Sequence, residues 1–157
     1  MNNAWKEYIT TELNSLDTKK FRFRTPASNN LFFNLKKEFQ LVELPIEFEE
    51  MYKRTDGIQE LLEGKVIGEF IWSIEKIIKE NKEYRTNPDF KNLYMSFEQL
   101  LFISDAGNGD LFGFVTLNGR IDRFDIFTWN HENDSRMWVA PNLTTFIKWW
   151  INGTINV

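Results

Sequence analysis

The dipeptide Asn118-Gly119 constrains this chain more than any other short segment, because it lies between two runs of strand-forming residues. Asn and Gly readily adopt the positive φ angles of a two-residue hairpin turn. We therefore predict that Leu111–Leu117 and Arg120–Phe127 pair as antiparallel strands, with Gly113 opposite Phe124. Neither face of this hairpin is purely apolar, so we expect a sheet with helices on one side and a partly open second side.

Apolar residues recur at helical spacing in several other parts of the chain. The first predicted helix has an apolar face from Trp5 to Leu16, and the second follows Pro26-Ala27-Ser28. The other predicted helices are Leu44–Arg54, a helix capped by Ser73 that ends near Asn81, and Leu143–Ile151. Val66–Trp72 and Leu100–Ser104 predict strands, and the polar stretch Lys82–Asn92 predicts a loop. This order indicates an α+β fold with a mainly antiparallel sheet flanked by helices. No linker or repeat divides residues 1–157, so we predict a single domain.

The residue inventory restricts catalysis and metal binding. The chain has no cysteine and one histidine, His131, so thiolate catalysts and the usual zinc ligand sets cannot be assembled. Asp105–Asp110 lacks the closing Glu of a calcium loop, and the phosphate-binding and nucleophile-elbow motifs are missing. We therefore predict no enzyme activity, no metal and no cofactor. A hydrolase built on His131 and paired carboxylates is an alternative without a supporting motif.

The N-terminal residues Met1–Glu7 have neither the basic start nor the apolar stretch of a signal peptide. No apolar run approaches the roughly 20 residues that span a bilayer. We therefore expect a cytoplasmic protein that does not enter a membrane, and the absence of cysteine fits a reducing compartment.

The negative charge is concentrated in one segment. The net charge is −4, and Ser104–Asp134 contains six acidic residues against two arginines, while the remaining residues balance. Direct nucleic-acid binding is not expected, because phosphates need a basic surface, whereas a basic protein partner is plausible. The candidate partner-binding residues are Asp105, Asp110, Glu132 and Asp134, with Trp129 as a possible aromatic anchor. The alternative is that these carboxylates only cap turns or lie in a solvated loop.

Three segments resemble the SUKH superfamily in their order and spacing. Leu44–Gly57 is similar to its Leu-Pro, aromatic and closing Asn-Gly pattern, with Asp56 where Asn is usual. Leu101–Asp110 is similar to its apolar strand, Gly-rich turn and Asp, and Phe127–Asp134 to its Trp/His-Glu segment before a final helix. The resemblance covers Pro26 to Ile151 and implies an α+β domain with a sheet flanked by helices.

The resemblance also implies a function. Bacterial members of the superfamily are mostly immunity proteins that neutralise toxins, often nucleases, and fungal members regulate cell-wall assembly. It therefore implies a non-catalytic domain that covers the active site of a cognate toxin protein. An intracellular regulatory scaffold is the alternative. The contact residues are not fixed across the superfamily, so it supplies no toxin-contacting residue set.

Overall fold

Helices and strands alternate in short blocks over residues 3–157, the part of the chain that the computed structural model describes. The helices are α1 Asn3–Asn14, α2 Asn29–Phe39, α3 Ile46–Tyr52, α4 Ile74–Thr86, α5 Pro88–Leu93 and α6 Leu143–Ile151. The strands are β1 Phe21–Phe23, β2 Ile58–Leu62, β3 Lys65–Ile71, β4 Leu100–Asp105, β5 Leu111–Val115, β6 Ile126–Trp129 and β7 Arg136–Ala140. The predicted α+β class is confirmed.

The strands form two antiparallel sheets, one in the order β1-β2-β3 and one in the order β4-β5-β6-β7. The sheets meet where β3 passes β4. There the backbone N–H of Trp72 donates to the carbonyl of Ile103 at 2.9 Å, and the Ser104 hydroxyl donates to the carbonyl of Phe70. The buried apolar side chains of both sheets therefore share one core.

The hairpin about Asn118-Gly119 is partly as predicted. Leu117 and Arg120 form the expected bridge on either side of the turn. The predicted pairing of Gly113 with Phe124 is wrong, because Gly113 lies opposite Phe127 and the second strand begins only at Ile126. Residues 121–125, between the bridge and β6, form no strand pairs, and the register of β6 on β5 is shifted by three positions. An odd shift moves each β6 side chain to the opposite face.

One face of the four-stranded sheet packs against α3 and α6, and α1 packs against these two helices. Phe112 and Phe114 are two positions apart on β5 and share this face. Phe48 of α3 contacts Phe114 with ring centroids 6.3 Å apart, and Phe146 of α6 contacts Phe112 at 4.9 Å. The prediction of helices on one side of the sheet is confirmed. Phe146 is fully buried, whereas Trp150 is only half-buried against the same cluster.

A buried carboxylate ties α3 to α6. The Glu47 side chain is 0% exposed and accepts hydrogen bonds from the backbone N–H groups of Leu143 and Thr144, at 3.0 and 2.8 Å. The Thr144 hydroxyl donates to the same carboxylate. Glu47 therefore caps the N-terminus of α6, where free N–H groups and the helix dipole favour a negative charge.

The opposite face of the sheet packs against α4 and α5. The prediction of a loop over Lys82–Asn92 is wrong, because α4 continues to Thr86 and α5 begins at Pro88. The Asn87 side chain caps α5 by accepting from the Asp89 N–H at 2.9 Å, and Pro88 suits the first helical position. The polar residues of this stretch form the outer surface of the two helices.

This second face is open beyond the two helices. Val115 and Phe127 have their side chains on this face and are only half-buried. Leu117, after the end of β5, is exposed. The predicted partly open second side is confirmed.

Candidate partner-binding site

The four predicted carboxylates lie at one end of the four-stranded sheet. Because neighbouring strands are antiparallel, the turn after β4 and the turn after β6 meet at the same edge. We call residues 105–110 and 130–135 the turn end. It contains Asp105, Asp110, Glu132 and Asp134, whereas Asp122 and Asp125 lie at the opposite end, before β6. The charged segment of the sequence is therefore divided between two ends of the sheet.

Asp110 fastens the two turns to each other. Asp110 is 4% exposed. Its Oδ1 accepts a hydrogen bond from the His131 backbone N–H at 3.1 Å and contacts His131 Nδ1 at 2.7 Å. The imidazole also packs against Gly109, where an added Cβ would lie 2.9 Å from Nδ1. Gly109 has a φ of +104°, which an L side chain rarely adopts. The sole histidine thus has a structural contact with Asp110 and Gly109.

Trp129 belongs to the core and is not an exposed anchor. Its residue exposure is 2%, and its ring contacts Tyr94 and Phe97 with centroids 5.1 Å apart. Its Nε1–H donates to Asp134 Oδ1 at 2.7 Å. The sequence could not show this burial, because it depends on aromatic residues near α5 packing over the sheet. Direct contact between this indole and a partner stays a prediction, and this structure does not expose the ring for it.

Asp134 accepts three hydrogen bonds. They come from the Met95 backbone N–H at 2.9 Å, from Trp129 and from Arg136 at 3.2 Å. Partial burial raises the pKa of Asp134, but these hydrogen bonds and the Arg136 charge outweigh it and hold the pKa below its usual value. Asp134 is therefore an ionised group that fixes the β6–β7 turn.

Asp105 and Glu132 differ in whether their carboxylates form hydrogen bonds within the chain. Asp105 accepts from Trp72 Nε1 at 2.9 Å and from the Gly107 backbone N–H at 3.1 Å. Glu132 is exposed, and among residues 3–157 its carboxylate forms no hydrogen bond or ion pair. The turn-capping alternative therefore describes Asp105, whereas Glu132 is free to meet a partner. The partner-binding role of all five candidates stays a prediction.

A cavity that the sequence analysis did not anticipate adjoins the turn end. It has a volume of about 490 Å³ and lies between β6–β7, α6 and the C-terminal residues 154–157. Its lining includes Asp110, Thr128, Met137, Trp138 and Trp149. The run Met137-Trp138-Val139 was the available signal, since consecutive large apolar residues with no covering partner mark an interaction surface.

Residues 3–157 contain neither a metal-binding cluster nor a membrane-spanning helix. No group of three or more His, Asp or Glu side chains there is arranged to hold a metal ion. No helix there has both the length and the apolar character needed to cross a membrane.

The chain matches a known protein family. A family model described as the SMI1 / KNR4 family (SUKH-1) matches residues 26–149, about four-fifths of the chain. The matched range includes α3, both turns of the turn end and most of α6. No curated protein matches the chain. The resemblance inferred from the three sequence segments is confirmed.

Proposed function

This chain belongs to the SMI1 / KNR4 family (SUKH-1), and from that premise we propose that it is a non-catalytic protein-binding domain. Its role is that of an immunity protein, which neutralises a cognate toxin in the cytoplasm by covering the toxin's active site. The observation that carries the proposal is the turn end, where two carboxylate-bearing turns are held together within a single chain. No chemistry by this chain is required.

The turn end is organised before a partner arrives. Asp110 joins the two turns through His131, and the Tyr94 hydroxyl donates to the His131 carbonyl at 3.2 Å. Asp134 holds the second turn to Met95. A surface already ordered loses less conformational entropy on binding than a flexible one, so more of the contact energy appears as affinity.

The negative charge of the turn end favours a partner with a basic surface. Toxins that act on nucleic acids hold phosphates, so their active clefts carry basic side chains. A carboxylate surface can occupy such a cleft in place of phosphate. Glu132 is the exposed charge at this end, and at the rim of an interface such a charge mainly raises the association rate.

The experiment is co-expression of this chain with the toxin domain encoded by the neighbouring gene, scored for growth, followed by binding kinetics. We expect protection of growth and a salt-sensitive association rate. Glu132→Lys should slow association by about tenfold or more at low salt, because it replaces attraction with repulsion. Glu7→Lys makes the same charge change at an exposed position of α1. It is the matched control and should bind like the parent.

Two results would count against the proposal. Failure to protect growth or to form a complex would remove the immunity role and leave the regulatory scaffold as the candidate. Equal slowing by Glu132→Lys and Glu7→Lys would show that the charge acts only through the net charge of the molecule.

A further inference from the structure

The cavity beside the turn end has aromatic walls in a fixed arrangement. The indoles of Trp138 and Trp149 lie with centroids 6.4 Å apart and ring planes at 72°. Trp138 is held in place by its Nε1–H, which donates to Asp125 Oδ1 at 2.8 Å. Met137 and Ile155 complete this apolar part of the lining. These walls can pack against a planar group that enters from solvent.

The other end of the cavity is polar and has unused acceptors. Both bonds from His131 go to Oδ1 of Asp110, and within the described residues nothing donates to its Oδ2. Thr128, 8% exposed, also lines the cavity, and its hydroxyl has no hydrogen-bond partner in the described part of the chain. A buried polar group without a partner costs free energy, which a ligand with suitable donors would recover.

The cavity is anionic and its walls have no cation from this chain. Asp110 is the sole ionisable side chain among the lining residues. Elsewhere a cation covers an aromatic face: Lys76 lies 5.2 Å from the ring centroid of Trp72, and Arg85 lies 4.5 Å from that of Phe39. No lysine or arginine within residues 3–157 lies over Trp138 or Trp149 in this way. The charge and the aromatic faces therefore fit a cation supplied from outside.

We infer that this cavity binds an arginine side chain of the partner protein. The arginine side chain packs along the indole faces, and its guanidinium reaches the polar end, where it donates to Asp110 Oδ2 and the Thr128 hydroxyl. Arginine fits better than lysine, because its guanidinium is planar, stacks on aromatic rings and offers several donors in fixed directions. The inference rests on the proposed function in one respect, namely that the arginine belongs to the basic surface of the toxin.

The test is an NMR titration of the full chain with N-acetylarginine amide, read from the indole N–H signals of Trp138 and Trp149. N-acetylcitrulline amide, which has nearly the same shape without the charge, is the matched ligand. We expect saturable shifts with the arginine probe at millimolar concentrations and none with the citrulline probe. Unshifted indole signals, or equal shifts with both probes, would overturn the inference.

Two variants locate the binding. Asp110→Asn keeps an acceptor oxygen for His131 and should weaken binding of the arginine probe by about tenfold. Glu7→Gln removes the same charge from an exposed position of α1 outside the cavity and should bind the probe like the parent. Met137→Arg places a cation at the exposed rim without touching Asp110 and should also block the probe. Unchanged probe binding by both cavity variants would contradict the assignment.

The failure of this inference is distinguishable from failure of the immunity role. A toxin that binds the parent and Asp110→Asn with equal affinity would overturn the cavity assignment alone. If the toxin does not bind the parent while the arginine probe still does, the immunity role fails and the cavity assignment stands.

Discussion

Glu47 at the α3–α6 contact and Asp134 at the turn end are carboxylates with the same number of hydrogen bonds and opposite pKa shifts. Each accepts three bonds from the described residues. Complete burial raises the pKa of Glu47, and the bonds from Thr144 and Leu143 do not compensate for it. Asp134 keeps some contact with water and pairs with Arg136, so its pKa falls.

The comparison shows that counting hydrogen bonds does not predict the ionisation of a carboxylate. Loss of hydration disfavours the charged form, and neutral donors recover only part of that loss. At Asp134 the nearby Arg136 guanidinium and residual solvent favour the charged form, which lowers the pKa. The same type of side chain therefore joins two helices in one region and forms an ion pair in the other.

The largest expected effect is from Glu47→Ala. The substitution leaves the N–H groups of Leu143 and Thr144 buried without an acceptor and opens a void, so we expect a loss of about 3–5 kcal/mol in the free energy of unfolding. Urea denaturation measures it. Glu49→Ala, on the same helix in a surface pair with Lys36, should change stability by less than about 1 kcal/mol. Comparable losses in the two variants would contradict the capping role.

A smaller effect is expected from Asp134→Ala. The Trp129 indole N–H and the Met95 N–H lose their acceptor, but they lie closer to water than the donors at Glu47, so we expect a loss of about 1–3 kcal/mol. Thermal unfolding followed by tryptophan fluorescence measures it. Glu132→Ala, in the same turn and without side-chain bonds in the described residues, should stay within about 0.5 kcal/mol of the parent. A neutral Asp134→Ala would show that these bonds are exchanged for water at no cost.

The smallest effects concern pH, and they have opposite signs. Because the folded state raises the pKa of Glu47, its contribution favours folding below its ordinary value of 4.5 and is lost as pH rises through the folded pKa. Asp134 has a lowered folded pKa, so its contribution is present above its ordinary value of 3.8 and is lost as pH falls through the folded pKa.

Urea denaturation across acidic pH separates the two contributions. Relative to Glu47→Gln, the parent should lose stability as pH rises above 4.5. Relative to Asp134→Asn, the parent should lose stability as pH falls below 3.8. Slopes of the same sign in the two comparisons would refute the opposite pKa shifts.

Local signals predicted five of the six helices, and α5 lies in the stretch predicted as a loop. Ser73 caps α4 through the expected side-chain bond, and α6 has the predicted bounds Leu143–Ile151. Strands β1, β2 and β7 were not predicted. β1 has three residues, and the apolar residues of β2, Ile58, Leu61 and Leu62, do not alternate regularly with polar ones. Such strands are defined by their partners, which a local pattern does not show.

The candidate site was predictable in position and less so in detail. The local excess of negative charge selected Asp105, Asp110, Glu132 and Asp134, and the antiparallel strand order brings their two turns to one end of the sheet. The burial of Trp129 and the adjoining cavity depend on α5, β7 and the C-terminal residues, whose packing involves distant parts of the chain. The three-residue register shift after Asn118-Gly119 likewise reflects tertiary packing rather than turn chemistry.

The cap that Glu47 provides for α6 has a consequence for the order of folding during synthesis. Glu47 precedes its two backbone partners by 96 and 97 residues. A ribosome makes the chain from the N-terminus, so α3 leaves the exit tunnel long before α6 exists. Until then the Glu47 carboxylate stays hydrated, and the face of α3 that contacts α6 stays exposed. Contacts of such long sequence separation form slowly, and we therefore expect α6 to dock on α3 late in the folding of these elements.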